Sequence, residues 1–224
     1  THKLALVRRA ASGDQRTLAG RLELQGIVGR NPAPDFSGSY IRNFKRGYVR
    51  AAGIVRRIAW DDTFDDGVEL SGSGTGWGLN FSSNLKPTSK DIIRIQVVYG
   101  EGIENYMNDS PVDVGVVSNP GSVVTPFKGE LLPILGTVFF LDHTWNDKWS
   151  TTVGFSHQDI DNSELQADNA FHRGYYALGN LLYTPVAGVM MGGEFQWGRR
   201  ENNSDGWKYD GYKIQFSFKY NFSY

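Results

Sequence analysis

Apolar and polar side chains alternate along the C-terminal segment of the chain. Every even position from Tyr212 to Tyr224 is apolar or aromatic, and every odd position from Lys213 to Ser223 is polar. A period of two residues indicates a β-strand with one apolar face and one polar face. A strand that crosses a membrane within a barrel needs about 9–11 residues of this pattern. The segment therefore predicts a strand of an outer-membrane β-barrel.

Similar alternation recurs along the rest of the chain, and we expect about eleven or twelve strands. The predicted strands cover residues 3–10, 18–29, 35–43, 47–60, 75–86, 90–104, 133–145, 148–159, 171–183, 187–199 and 209–224. Helical periodicity is not evident, and no segment approaches the roughly 18 apolar residues of a transmembrane helix. The predicted fold class is all-β: a transmembrane antiparallel up-and-down β-barrel, formed by a single domain over residues 1–224.

The connections between the predicted strands alternate in length. Tight turns are predicted at 43–46, 146–147 and 185–188, and the intervening connections are long and polar. Short turns at one end and long loops at the other are typical of outer-membrane barrels. Two alternatives apply to the longest loop, 105–132: it folds into the barrel as a constriction, or it is a mobile external loop.

Several basic residues in the middle of the predicted strands occupy the polar phase. Because a Lys or Arg on the lipid face near the midplane costs about 2–4 kcal/mol, we expect these side chains to face the lumen. The predicted pore-lining set contains these basic residues and one acidic residue: Arg21, Arg50, Arg56, Lys86, Arg94, Glu194, Arg200, Lys213 and Lys219.

The predicted lumen is net positive although the whole chain carries a net charge of −1. Acids in matching positions are few (Glu23, Asp142 and Glu194), because most others lie in the predicted loops. A positive lumen favours the entry of anions. The alternative is a structural lumen, in which Arg and Glu side chains pair across strands and plug the barrel.

Composition limits the other function classes. Aromatic residues make up 13% of the chain and glycines number 27, which suits a barrel with interfacial girdles and bends. The chain has no cysteine, so disulfides and Cys-ligated zinc are excluded. The four histidines lack metal-site spacing, and we predict neither a metal site nor a cofactor. The near-neutral charge argues against nucleic-acid binding. The tryptophans are expected in the girdles: Trp60, Trp77, Trp145, Trp149, Trp197 and Trp207.

Two short motifs could also indicate an enzyme or a phosphate-binding protein. The glycine-rich segment 72–78 leads into a strand, so it is expected to bend a strand or relax a loop rather than to bind phosphate. The segment 154–158 contains Ser156 and His157, the residue types that an outer-membrane lipase or deacylase uses. An outer-membrane enzyme acting on lipids therefore remains an alternative function, although no catalytic residue is predicted.

Several segments in a fixed order resemble the DcaP-like outer-membrane porins. They are Pro34–Gly38, Gly47–Ile54, Gly76–Asn80, Tyr99–Ile103, Trp145–Trp149, Leu182–Pro185, Gly193–Glu201 and Gln215–Phe222. The resemblance implies a homotrimeric porin in the bacterial outer membrane, surrounded by lipid and lipopolysaccharide. It also implies an arginine-rich, anion-preferring channel for small carboxylates such as dicarboxylates, and no enzymatic activity.

The resemblance also implies a longer chain with a sixteen-stranded barrel. This sequence is then either the C-terminal part of such a barrel or a smaller relative. For the last strand, we predict that residues 212–222 pair with 188–198 on one side, and with a strand outside this sequence on the other. The alternative functions are the lipid-modifying enzyme and a structural barrel without an open pore.

Overall fold

The structure is a computed structural model that describes residues 27–30, 32–63, 65, 67, 69–107 and 110–222. Its strands are β1 Ile27–Arg30, β2 Phe36–Phe44, β3 Gly47–Asp62, β4 Gly72–Leu85, β5 Asp91–Glu101, β6 Val114–Ser118, β7 Phe127–Leu131, β8 Pro133–Thr144, β9 Trp149–Ile160, β10 Phe171–Tyr183, β11 Val189–Asn202 and β12 Lys208–Tyr220. In this described part the helical structure is one 3₁₀ turn, Glu104–Tyr106. None of its helices is long and apolar enough to cross a membrane.

The strands form one large antiparallel sheet in the order β1/β2, β3, β4, β5, β8, β9, β10, β11, β12. A separate two-stranded sheet contains β6 and β7. From β2 onward each strand of the large sheet pairs with the next strand along the chain, except that β5 passes over β6 and β7 to pair with β8; β1 pairs with β3 rather than with β2. The predicted all-β, antiparallel up-and-down architecture is confirmed by this order.

The connections alternate in length as predicted, with one exception. The turns β2–β3, β4–β5, β8–β9 and β10–β11 are short, and they lie at one end of the sheet. The connections β3–β4, β5–β8 and β9–β10 are longer and lie at the opposite end. The β11–β12 connection also lies at that end, but it is no longer than the β4–β5 turn. We call these the short-turn end and the long-loop end.

The pairing register assigns every strand residue to one of two faces. For example, Arg50 lies opposite Ser82, Ser82 opposite Gln96, and Ser156 opposite Tyr176. One cavity is lined by residues of β2, β3, β4, β5, β8, β9 and β10, so the sheet is curved and this face is concave. We call it the inner face, and the opposite one the outer face.

The outer face is apolar and open to the surroundings. Leu79 is 60% exposed, Phe195 49% and Phe216 84%, which is unusual for large apolar side chains in a folded protein. Aromatic pairs lie near both ends of the outer face, including Trp149 with Tyr183. A broad apolar band with aromatic ends matches the lipid-contacting surface of an outer-membrane barrel.

The first two described strands share one edge of the sheet. The predicted strand 35–43 agrees with β2 within one residue, and of the predicted strand 18–29 only residues 27–29 are described; β1 and β2 lie end to end along the same edge of β3. They therefore form one interrupted strand rather than two neighbours. Pro32 and Pro34 lie in the interruption, and proline has no backbone N–H to donate to β3.

The predicted pairing of the last strand is confirmed on one side. Within the β11–β12 ladder, Val189 lies opposite Tyr220 and Trp197 opposite Tyr212. Among the described residues β12 has no partner on its other edge. The predicted strand 3–10 lies outside the described residues. The closing partner of β12 therefore stays a prediction.

Candidate functional site

The longest connection, residues 102–132, folds onto the inner face, and we call it the inner loop. The sequence predicts a long loop over 105–132, and the structure shows that it contains the hairpin β6–β7 and follows the 3₁₀ turn that begins at Glu104. A first apolar cluster joins Val114, Val116 and Phe127 of the loop to Ile58 and Trp60 of β3. The inner loop therefore covers the long-loop part of the inner face, as the constriction alternative expected.

A second apolar cluster fixes the start and end of the inner loop. Ile103, Val112 and Leu132 pack against Ile134 of β8 and Ile160 of β9, and all five are buried. Each such side chain contributes roughly 1.5–3 kcal/mol when it is fully buried. Together, the burial in the two clusters holds the inner loop against the inner face of the large sheet, which forms the wall beside it.

Glycines on the inner face of β4 provide the surface on which the inner loop lies. Gly72, Gly74, Gly76 and Gly78 alternate with outer-face residues, so all four face the loop. A Cβ atom at Gly74 would lie 2.9 Å from Leu131 of the loop, and one at Gly78 2.6 Å from the Ile103 side chain. The glycine-rich segment therefore serves close packing rather than the bending that the sequence suggested.

We expect Gly76→Ala to loosen the inner loop. The added Cβ would lie 2.9 Å from the backbone carbonyl oxygens of both Glu101 and Gly102, which cannot move as a flexible side chain can. The cost should be about 1–3 kcal/mol. The matched control is Gly38→Ala, because nothing lies within 4 Å of a Cβ there. The test is the temperature at which gel migration shifts; equal temperatures for the two variants would contradict the packing role.

Arg56 forms the polar centre of the contact between β3 and the inner loop. Its side chain is 1% exposed and forms ion pairs with Asp35 at 3.4 Å and with Asp113 at 3.5 Å. Its Nη1 donates to the carbonyl oxygen of Gly102 at 3.2 Å. The guanidinium also lies 5.2 Å from the ring centroid of Tyr106, whose hydroxyl donates to Asp35. Arg56 thus joins the loop, the β1–β2 interruption and the wall.

This burial corrects one predicted role. Arg56 was expected to line the pore as an accessible positive charge, and it does lie on the inner face. The two carboxylates that pair with it neutralise its charge, and the inner loop covers it. Arg56 is therefore a structural residue of the constriction rather than a contact for solutes.

Glu104, in the 3₁₀ turn of the inner loop, is fully buried. Burial raises the pKa of Glu104 to about 9, and the nearby Asp113 carboxylate adds to the rise. At neutral pH the Glu104 carboxyl is therefore protonated while the loop is docked. A loop released into water would return this pKa to its ordinary value of 4.5.

We expect docking of the inner loop to weaken as the pH rises. Between the ordinary pKa of 4.5 and the docked pKa of about 9, the released loop binds fewer protons than the docked one. The docking free energy is therefore complete below pH 4.5, falls through this window and stays low above it. The conductance expected of the predicted porin should rise from pH 5 to pH 9. Glu104→Gln should flatten the profile, and an unchanged profile in that variant would contradict this account.

Trp60 also differs from its prediction. It was expected in an interfacial girdle, but it faces inward, is 2% exposed and donates its indole N–H to the carbonyl oxygen of Leu70 at 2.8 Å. A Cβ at Gly72 would lie 2.5 Å from its ring, and one at Gly129 2.2 Å. Trp60 therefore anchors the hairpin of the inner loop to β3.

The structure places six other predicted pore-lining residues on the inner face. Arg94 forms an ion pair with Asp142, and Arg50 donates to the Ser39 hydroxyl at 3.0 Å. The Glu194 carboxylate accepts hydrogen bonds from Asn180 and Gln196. The six residues are Arg50, Arg94, Glu194, Arg200, Lys213 and Lys219.

Of the two remaining predicted residues, Lys86 is not on this face and Arg21 is not among the described residues. Lys86 was assigned to the lumen phase, but β4 ends at Leu85, and Lys86 lies in the short turn, where its backbone N–H donates to Arg46. A turn residue at the short-turn end does not line the wall. Arg21 lies outside the described residues, and its pore-lining role stays a prediction.

The cations of the inner face form two groups. Arg50 and Arg94 lie on β3 and β5, whereas Arg200, Lys213 and Lys219 lie on β11 and β12. The inner faces of β8, β9 and β10, which separate the groups, carry no Lys or Arg. The wall thus has no cations along its centre, where Asp142 of β8 is acidic, and is basic on both flanks, with Glu194 as an acid on β11.

Ser156 and His157, the residue types that suggested an enzyme, lie on opposite faces of the sheet. Ser156 faces inward, whereas His157 faces outward and packs on Tyr175 at 4.7 Å between ring centroids. These two side chains therefore do not form a Ser–His pair. The part of the chain that the structure describes holds no cluster of three or more His, Cys, Asp or Glu side chains able to bind a metal.

The residues that hold the inner loop were missed by the sequence analysis. Asp35, Asn105 and Asp113 surround Arg56. Each lies in a connection between strands, where polar residues are common and do not by themselves indicate a contact. One signal was available: glycine at every second position from 72 to 78 indicates that another segment approaches the inner side of the strand.

Comparison with solved structures shows the same fold in a known channel. The crystal structure of the outer membrane channel DcaP of Acinetobacter baumannii matches with a TM-score of 0.71 and 17% sequence identity, over 89% of this chain and 54% of that chain. A NanC porin structure is also similar, with a TM-score of 0.40 and 10% identity, over 86% of this chain and 98% of that chain. No family model and no curated protein matches the chain.

The fold of this chain is that of an outer-membrane channel wall, and the predicted resemblance to DcaP-like porins is confirmed at the level of the fold. The chain spans about half the length of the DcaP channel chain that it matches. This relation supports the predicted place in the bacterial outer membrane.

Proposed function

We propose that this chain forms the wall of an outer-membrane channel through which small anions, in particular carboxylates, diffuse. The observation that carries the proposal is the charge of the inner face. Among the described residues, Arg50, Arg200, Lys213 and Lys219 have no carboxylate within ion-pair distance. Away from the strand ends, Glu194 is the acidic residue of the inner face that has no basic partner. Unpaired cations along a low-dielectric wall raise the local concentration of anions.

The inner loop gives this channel a constriction. Its docking by two apolar clusters and by Arg56 narrows the long-loop half of the lumen. Solutes then pass close to the wall residues rather than through a wide aqueous space, so their charge matters. The proposal also includes a homotrimer embedded in outer-membrane lipid and lipopolysaccharide, which rests on the resemblance to the porin family.

The test is a flux measurement on the full-length protein in liposomes. Succinate and putrescine have chains of similar length and opposite charge, and each would be trapped inside and its release followed. We expect succinate to leave faster than putrescine, and the difference to shrink at high salt because pore charges are screened. Faster release of putrescine, or no release of either solute above that of protein-free liposomes, would overturn the proposal.

A further inference from the structure

A large cavity lies on the inner face beside the inner loop. Its volume is about 860 Å³, and it is bounded by β3, β4, β5, β8, β9 and β10 on one side. Ile103, Tyr106 and Met107 of the inner loop bound it on the other. A space of this size on the side of a constriction accommodates a small organic molecule.

No Asp, Glu, Lys or Arg of the described residues lines this cavity. Apolar side chains from the wall and the loop form most of its surface, among them Ile54, Val98, Val138 and Met107. Gly78 and Gly136 also line it, and the Ile103 and Met107 side chains of the inner loop pack closely over them. The cavity therefore suits an uncharged, largely apolar group.

A few polar groups of the cavity are free to bind a ligand. Gln158 is already hydrogen-bonded to Ser110 of the inner loop. The side chains of Gln96, Ser156 and Tyr176 also line the cavity and have no hydrogen-bond partner among the described residues. Convergent polar groups in a mostly apolar cavity fix the orientation of a small ligand.

These groups share one row of the sheet with a cation. The register places Gln96 opposite Val138, Val138 opposite Ser156 and Ser156 opposite Tyr176. In the other direction the same row continues from Gln96 through Ser82 to Arg50. Neighbouring strands are about 4.8 Å apart, so Arg50 lies roughly 10 Å from Gln96 along the row. The row thus runs from a positive end to an uncharged, partly aromatic one.

We propose that this row is a binding site for an amphipathic monocarboxylate, with its carboxylate at Arg50 and its apolar ring or short chain in the cavity. The proposal rests on the anion channel proposed above and narrows its substrate class. A dicarboxylate of the same length is disfavoured, because its second carboxylate would enter a cavity without a cation. This preference differs from the dicarboxylates that the family resemblance implies.

The test is block of chloride current through the full-length protein by benzoate and by terephthalate, which carries a second carboxylate on the same ring. We expect benzoate to halve the current at a concentration about tenfold lower than terephthalate, because the second carboxylate of terephthalate would leave water for a mostly apolar cavity without a cation. Equal potency, or stronger block by terephthalate, would overturn the inference. A selective chloride current without any block by benzoate would overturn it too, while the proposed channel function would stand.

Variants at Val138 locate the site. Val138→Trp fills the cavity, so the benzoate concentration for half block should rise by about tenfold or more. Val138→Leu should give a smaller rise and serves where the larger side chain prevents folding. The matched control is Val97→Trp, because Val97 lies on the outer face of β5 and should leave benzoate block unchanged. Unchanged block in both Val138 variants would contradict the site, and absence of any current would overturn the site and the channel together.

Discussion

Reversal of two lumen charges is expected to lower the chloride-to-potassium permeability ratio by on the order of tenfold at low salt. The double variant is Arg50→Glu with Lys213→Glu, one substitution on each basic flank of the inner face. Both side chains are accessible and neither pairs with a carboxylate among the described residues. Each substitution exchanges an attractive charge for a repulsive one along the path of the anion, and the pore charges act together.

The control for this experiment is Lys45→Glu. Lys45 lies in the short β2–β3 turn, away from the wall, so the same change of charge there should leave the permeability ratio nearly unchanged. The effect of the double variant should also diminish between 0.1 M and 1 M salt, where the Debye length falls from about 10 Å to 3 Å. An unaltered ratio in the double variant at low salt would contradict the assignment of these residues to the lumen.

Removal of the Arg56 side chain is expected to release the inner loop. In Arg56→Met the carboxylates of Asp35 and Asp113 lose their buried cation, and breaking one side of a buried ion pair costs about 3–5 kcal/mol. Since the loop narrows the lumen, the single-channel conductance should rise. The loop should also become susceptible to proteases at Lys128, which lies in β7.

The matched control is Arg57→Met, at the neighbouring position of β3. Arg57 lies on the outer face and donates to the hydroxyl groups of Ser73 and Thr75 rather than to the loop. Conductance and protease susceptibility should therefore stay close to those of the unmodified protein. If the two variants behave alike, the buried cluster around Arg56 does not hold the loop.

The strands could be predicted from the sequence because alternation is a local property. The segments 47–60 and 171–183 agree with β3 and β10 within two residues, and the register places Arg50 and Arg94 on the same face as Ser82 and Asn84. A strand that separates lipid from water must alternate at every position, so the pattern is strong. The pairing of 212–222 with β11 follows because consecutive antiparallel strands are usually neighbours.

The inner loop could not be predicted in the same way. Its hairpin is short, and its position depends on contacts with residues more than forty positions away, such as Arg56 with Asp113. The burial of Arg56 and Trp60 follows from that docking, because both would face an open lumen without it. A face assigned from alternation says on which side a residue lies, but not what covers it.

The most direct test of the central claim is the reversal potential of the unmodified full-length protein in a planar bilayer with a potassium chloride gradient. The account predicts stepwise conductance and a reversal potential with the sign expected for a chloride-selective channel. The reversal potential should be largest at low salt, because the wall charges are then least screened. The absence of conductance steps, or a reversal potential of the sign set by potassium, would contradict it.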